Sequence, residues 1–199
     1  MTKRLDIMVD LETLGKEPST PVIQIGAVAF NLDTGEIYDS FVGYGKLTPL
    51  SGVVDEETYK WWLKTDAMLL QQILAKGVEE NTTEDVLFTN FVKWINLTAK
   101  QNKISPSEIM LWGNGMLFDN YIIRGKCEKH GVRYPILYYN DRDVRTIVDL
   151  YCVKSGMTRK ELTDGFKNAS GLVLHDAVND CMIQIKMVQH CWNVLVKGK

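Results

Sequence analysis

Three apolar runs open the chain: "LDIMVDLET", "PVIQIGAVAFNL" and "GEIYDSFVGYG". Short runs rich in Val, Ile, Phe and Tyr, bounded by Gly, Pro and Asn, read as strands. "NLDTGE" carries a glycine between the second and third runs and predicts a hairpin loop. The chain therefore begins as an antiparallel meander and not as a βαβ unit. The spacing then changes to that of helices. "VDEETYKWWLKTDAMLLQQILAKG" reads as one helical stretch with acids in its first turn. "TTEDVLFTNFVKWINLTAKQ" places Phe88, Phe91, Val92 and Ile95 on one face, with Thr83 as the N-cap. "SEIMLWGNG" is a short strand closed by a glycine turn, and "LFDNYIIRGKCEKHG" a helix ending at Gly131. "VRTIVDLY" reads equally as a further strand or as the lead into a helix. "TDGFKNASGLVL" is expected to be a loop. A last helix, from about His175 to Val196, carries Ala177, Cys181, Ile185, Val188, Trp192 and Leu195 as a buried stripe. Three meandering strands followed by alternating helices and short strands predict an α/β fold, a mixed sheet with helices packed on it. No repeat, low-complexity tract or linker interrupts the pattern, so one domain spanning 1–199 is expected.

Composition narrows the function classes. Of 199 residues, 45% are apolar and 24% charged, the balance of a soluble globular domain. No apolar run approaches the roughly 20 residues that span a bilayer. "MTKRLDIMVDLE" lacks the core and cleavage site of a signal peptide, which points to a cytoplasmic protein. Cys127, Cys152, Cys181 and Cys191 form no CxxC pair and fit no zinc spacing, so free thiols are expected. A net charge of −2 argues against a basic field gripping nucleic acid through many phosphates. It leaves room for an enzyme that meets phosphate through bound cations, because such a site needs clustered acids.

Candidate acids lie in three places. Asp10 and Glu12 are two apart on the first strand and so share a face. Alone, the pair reads equally as the solvated side of an edge strand. Asp119 sits where a strand gives way to a helix, a position that also suits a cap. His175 and Asp180 crowd the start of the last helix, where an acid also complements the helix dipole.

Taken in order, these residues resemble the DEDDh 3′–5′ exonucleases, and among them the small phage-type enzymes. The resemblance rests on "MVDLETLG" followed by "VIQIGAVAF", on "LWGNGMLFDNYIIR" and on "HDAVNDC". "YKWWLK" and "NDRDVRTI" fall between them in the same order. It implies a ribonuclease-H-like fold and a metal-dependent hydrolase acting on the 3′ end of nucleic acid, DNA favoured and single-stranded, with release of nucleoside 5′-monophosphates. Two ions, Mg²⁺ or Mn²⁺, would be held by Asp10, Glu12, Asp119 and Asp180, with hard oxygen ligands of the kind these cations prefer. Asp10 would touch both ions, Glu12 and Asp180 would complete the one that binds the attacking water, and Asp119 would hold the second. His175 would take the proton of that water. Thr13 would meet the terminal 3′-OH and Leu14 would wedge against the last base.

Trp61 and Trp62 point about 100° apart on a helix, so at most one faces a given site, and core packing is expected for at least one. Trp112 reads as core. Arg142 and Arg145 suit bidentate phosphate contact and equally suit pairing with Asp141, Asp143 or Asp149. Two alternatives remain at this point: an exoribonuclease of the same family, or a catalytically inactive nucleic-acid-binding module on the same fold. A homo-oligomer through the "WINLTAK" helix is compatible with the sequence.

Overall fold

A computed structural model describes residues 4–198; the outermost ends of the expected 1–199 domain lie outside the described residues. Five strands form one sheet in the order β3-β2-β1-β4-β5: β1 (Leu5–Thr13), β2 (Val22–Phe30), β3 (Ile37–Tyr44), β4 (Ile109–Gly113) and β5 (Asp141–Asp143). β1, β2 and β3 pair antiparallel as the meander requires, and β4 and β5 join parallel to β1. The sheet is therefore the mixed one expected, with helices on both faces.

Side chains alternate along β1, and the two faces have separate cores. Leu5, Ile7, Val9 and Leu11 pack under α3 (Glu84–Gln101) and α4 (Asp119–Lys129). The stripe Phe88, Phe91, Val92 and Ile95 is the buried face of α3. Met8 faces the other way, toward α5 (Val144–Ser155) and α7 (Ala177–Trp192). Asp6, Asp10 and Glu12 share that second face with Met8, so three carboxylates point to the α7 side. Asp6 is answered within the fold, accepting from Trp112 Nε1 at 2.9 Å and pairing with Arg4 at 3.0 Å. Trp112 is core, as expected.

Three local features depart from the sequence reading. The long helical stretch before residue 81 is two helices, α1 (Glu56–Thr65) and α2 (Ala67–Glu80). Asp66 leaves the helical conformation between them and caps α2, accepting from Leu69 N–H at 2.8 Å. A residue that can satisfy a new helix start with its own carboxylate makes a break cheap. "TDGFKNASG" is not a loop but most of α6 (Arg159–Ser170). A capping box between Thr158 and Glu161 starts it, and Leu162 and Phe166, one turn apart, face the α7 core. Its polar composition conceals that two-residue stripe. "VRTIVDLY" lies in α5, and the strand is the three residues before it. The last helix begins at Ala177 and passes at Asn193–Lys197 into a π-helical turn.

Gly26 fixes where α7 meets the sheet. A Cβ there would lie 2.4 Å from the Ala177 carbonyl carbon and 2.5 Å from Val178 N. Backbone touches backbone at this point, directly opposite Asp10 in the β1–β2 register. Among the described residues no helix is long and apolar enough to cross a membrane.

Candidate active site

The acids converge at one end of the sheet. β1 runs past the last residue of β4 to which it pairs, leaving the Leu11 N–H without a strand partner. Asp119, at the start of α4, fills that gap and accepts this N–H at 3.1 Å. Asp119 makes no side-chain cap to α4, whose N-cap position is Phe118; its carboxylate is buried and serves the strand instead. From the other face, α7 brings Asp180 and Gln184, one turn apart. Gln184 Nε2 donates to Asp10 Oδ1 at 2.9 Å. Asp180 Oδ2 accepts the backbone N–H of His175 at 3.2 Å.

His175 lies two residues before α7 with φ of 62°, the left-handed region in which His is among the tolerated side chains. Glu12, His175 and Asp180 each offer a ligand atom, and those atoms all lie within 4.8 Å of one another. The imidazole meets Trp61 edge to face, with ring centroids 5.1 Å apart and an interplanar angle of 89°.

Packing anionic groups together out of water makes their ionisation costly. Burial, then the charges of Asp119 and Asp180, holds Asp10 well above the usual carboxylate range. Glu12 is pushed up to about 10 by burial and then by Asp10. Burial raises Asp119 to about 7, against the Leu11 N–H that favours its charged form. Asp180 is raised by burial and relieved in part by His175. Among the described residues, none of the ion pairs involves Asp10, Glu12, Asp119 or Asp180. The donor set consists of crowded carboxylate oxygens beside an imidazole, and it fits hard divalent cations.

A cavity of about 530 Å³ opens beside the acids, lined by Glu12, Thr13, Lys16, Trp61, Trp62 and Phe118 among others. Thr13 lines it, but its hydroxyl is committed to the Gly15 carbonyl at 2.6 Å. Trp62 is buried and donates its indole N–H to the Thr13 carbonyl at 3.0 Å, while Trp61 is 45% exposed. Trp62 is core, as expected for one of the pair, yet it also borders the cavity and meets His175 with ring centroids 6.3 Å apart, so both tryptophans reach the site where the helix geometry allowed for one. Leu14 is elsewhere than a wedge would be. It is 2% exposed and packs with Ile23, Tyr44, Trp62, Leu70 and Ile73, behind the cavity wall. A β-bulge between Glu12 and Thr13 shifts the register there, which strict alternation could not foresee.

Arg142 donates to the Tyr139 and Asp141 carbonyls. Its expected acidic partners are engaged otherwise: Asp141 pairs with Arg124 and Asp149 with Arg159. Three supporting residues escaped the sequence reading. Gln24, fully buried on β2, accepts from Ala177 N–H at 3.3 Å and donates to Asp176 at 3.4 Å, tying the start of α7 to the sheet. Gln184 was detectable as the residue one turn beyond Asp180. Asp143 Oδ1 receives the Gly115 and Met116 N–H groups at 3.1 and 3.3 Å, holding the turn before Asp119. No local pattern marks Gln24 or Asp143.

Comparison with known proteins agrees with this fold. The exodeoxyribonuclease of Enterobacteria phage T4 is 28% identical over 207 residues, covering 93% of this chain and 88% of that protein. The nuclease domain of 3′hExo, a DEDDh family member solved with rAMP, superposes with a TM-score of 0.61 at 15% identity, over 99% of this chain and 94% of that one. The zinc-bound E. coli ExoI–ssDNA complex gives a TM-score of 0.66 at 16% identity. It is matched over 98% of this chain, which spans only 42% of the ExoI chain. The profile of the 3′–5′ exoribonuclease Rv2179c-like domain matches residues 5–192, and the chain belongs to that family.

Proposed function

We propose that this protein removes nucleotides one at a time from the 3′ end of single-stranded nucleic acid, with DNA preferred, releasing nucleoside 5′-monophosphates. The observation that carries the reading is the convergence of Asp10, Glu12, Asp119, His175 and Asp180, from segments remote along the chain, on one end of the sheet. Asp10, Glu12, Asp119 and Asp180 would hold two divalent cations, Mg²⁺ or Mn²⁺. When bound, such ions neutralise the charge that builds on the phosphate and on the leaving 3′-oxygen.

The remaining work falls to the chain. His175 accepts the proton of the attacking water; its ring nitrogen lies within 4.8 Å of carboxylate oxygens of both Glu12 and Asp180. Asp180 fixes the left-handed turn that aims the imidazole by accepting the His175 N–H. Gln184 orients Asp10. The cavity beside Glu12 takes the terminal nucleoside, with the backbone at Thr13 meeting the 3′-OH and Trp61 stacking on the base. Leu14 acts from behind, by fixing Trp62 against the Thr13 carbonyl.

Preference for DNA is supported by the likeness to the T4 exodeoxyribonuclease, which extends over most of both chains. A second reading, action on RNA, is favoured by the description of the family. Digestion of 5′-labelled, matched DNA and RNA strands with Mg²⁺, Mn²⁺ or EDTA tests both. A ladder shortening from the 3′ end, faster on DNA and abolished by EDTA, is expected. Faster decay of RNA would reverse the sugar assignment, and internal cuts would remove the exonuclease reading.

A further inference from the structure

Arg145, the second residue of α5, stands exposed beside the acid cluster. Its guanidinium makes no hydrogen bond or ion pair among the described residues, whereas Arg4, Arg124, Arg142 and Arg159 all spend theirs. The group lies over Gly115: Cζ, Nη1 and Nη2 are 3.1–3.3 Å from where a Cβ on that residue would stand. Gly115, with φ of 111°, belongs to the turn that leads into Asp119. Asp143 latches the turn to the first turn of α5, since its second oxygen accepts from Thr146. The charge of Arg145 reaches Asp119 and eases its ionisation. An unshielded, planar cation thus lies on the β4–β5 side of the acids, while the nucleoside cavity opens toward α1, on the Thr13 and Trp61 side.

We propose that Arg145 binds the first phosphate inward of the scissile one, on its 5′ side, and so positions the substrate strand across the acid cluster. This rests on the nuclease reading above. With the terminal nucleoside in the cavity and the scissile phosphate over the carboxylates, the next linkage runs toward Gly115. There the lack of a side chain leaves the guanidinium fork free to meet two phosphate oxygens. Asp143 holds the turn, and the missing side chain at Gly115 makes room for the guanidinium.

Three substrates separate the possibilities in Mn²⁺ buffer: a dinucleoside monophosphate holding only the scissile phosphate, a trinucleoside diphosphate, and the same trinucleoside with a neutral methylphosphonate at the inward linkage. Arg145→Ala is expected to lower kcat/KM on the trinucleoside about tenfold or more, chiefly through KM, as fits one charge-assisted contact. On the dinucleoside it should change little. The methylphosphonate should cost the parent protein a similar factor and cost Arg145→Ala nothing further. Arg145→Lys should recover part of the loss, and Arg133→Ala, an exposed charge beyond the far end of α4, should behave as the parent. Equal losses on dinucleoside and trinucleoside, or a full methylphosphonate penalty in Arg145→Ala, would overturn the assignment. A parent protein that cuts none of the three would remove the nuclease reading itself, and this inference with it.

Discussion

Glu12→Gln should stabilise the metal-free protein while abolishing turnover. Glu12 is buried, its pKa is pushed from 4.5 to about 10, and no hydrogen bond to its carboxylate among the described residues offsets that. A carboxyl whose folded value lies above its unfolded one binds more protons in the folded state. Its contribution to stability is therefore greatest below pH 4.5 and declines as the pH rises from there toward about 10. At pH 7 the unfolded chain has ionised this group and the folded chain has not, a difference worth up to about 3 kcal/mol at 1.36 kcal/mol per unit. Glutamine keeps the shape and removes the proton linkage. Urea denaturation of both proteins in EDTA, at pH 4.5 and pH 7, isolates the effect, because titrating groups remote from the site cancel in the difference. The variant should be equal to the parent at the lower pH and more stable by about 1–3 kcal/mol at the higher one. Saturating Mn²⁺ should then remove most or all of that advantage, since an ion held at about a hundred times its Kd adds about 2.7 kcal/mol to the protein that binds it. A Glu12→Gln variant less stable than the parent in EDTA at pH 7 would refute the electrostatic account of this site.

His175→Ala should lower kcat by about 10²–10⁴ while Mn²⁺ binding by calorimetry persists; an unchanged kcat in metal-saturated buffer would dismiss the general-base role. Trp62→Phe leaves the buried Thr13 carbonyl without its donor, so a stability loss of about 1–3 kcal/mol and a raised KM are expected from denaturation and steady-state kinetics. Gly26→Ala forces α7 away from β2, because the new carbon meets backbone 2.4 Å away. A lower Tm together with a lower kcat is expected, and normal activity would show that α7 is not positioned there.

Much of the molecule is legible in the sequence because it rests on local rules. The meander comes from three apolar runs with a glycine hairpin, and α3 from the four-residue stripe at Phe88, Phe91, Val92 and Ile95. The acids could be picked out by type and order, since a strand puts Asp10 and Glu12 on one face without help from any other element. Where local rules offered two answers, the wrong one was sometimes the more natural. Polar "TDGFKNASG" is helical because Leu162 and Phe166 have a core to meet, and "VDEETYKWWLKTDAMLLQQILAKG" breaks because Asp66 can cap a second helix.

Tertiary structure alone decided which side chains face the site. Leu14 turns into the cluster under Trp62, and the exposed indole beside His175 belongs to Trp61. Arg142 is consumed by backbone carbonyls while Arg145, three residues on, lies over Gly115 with its fork open. Gln24, which no local pattern marks, and Gln184, one turn beyond Asp180, hold the start of α7 and the Asp10 carboxylate. The reason is common to all of them. Composition and periodicity determine what a segment can bury, but a partner some 150 residues away settles which group finds its hydrogen bond and which is left to meet substrate.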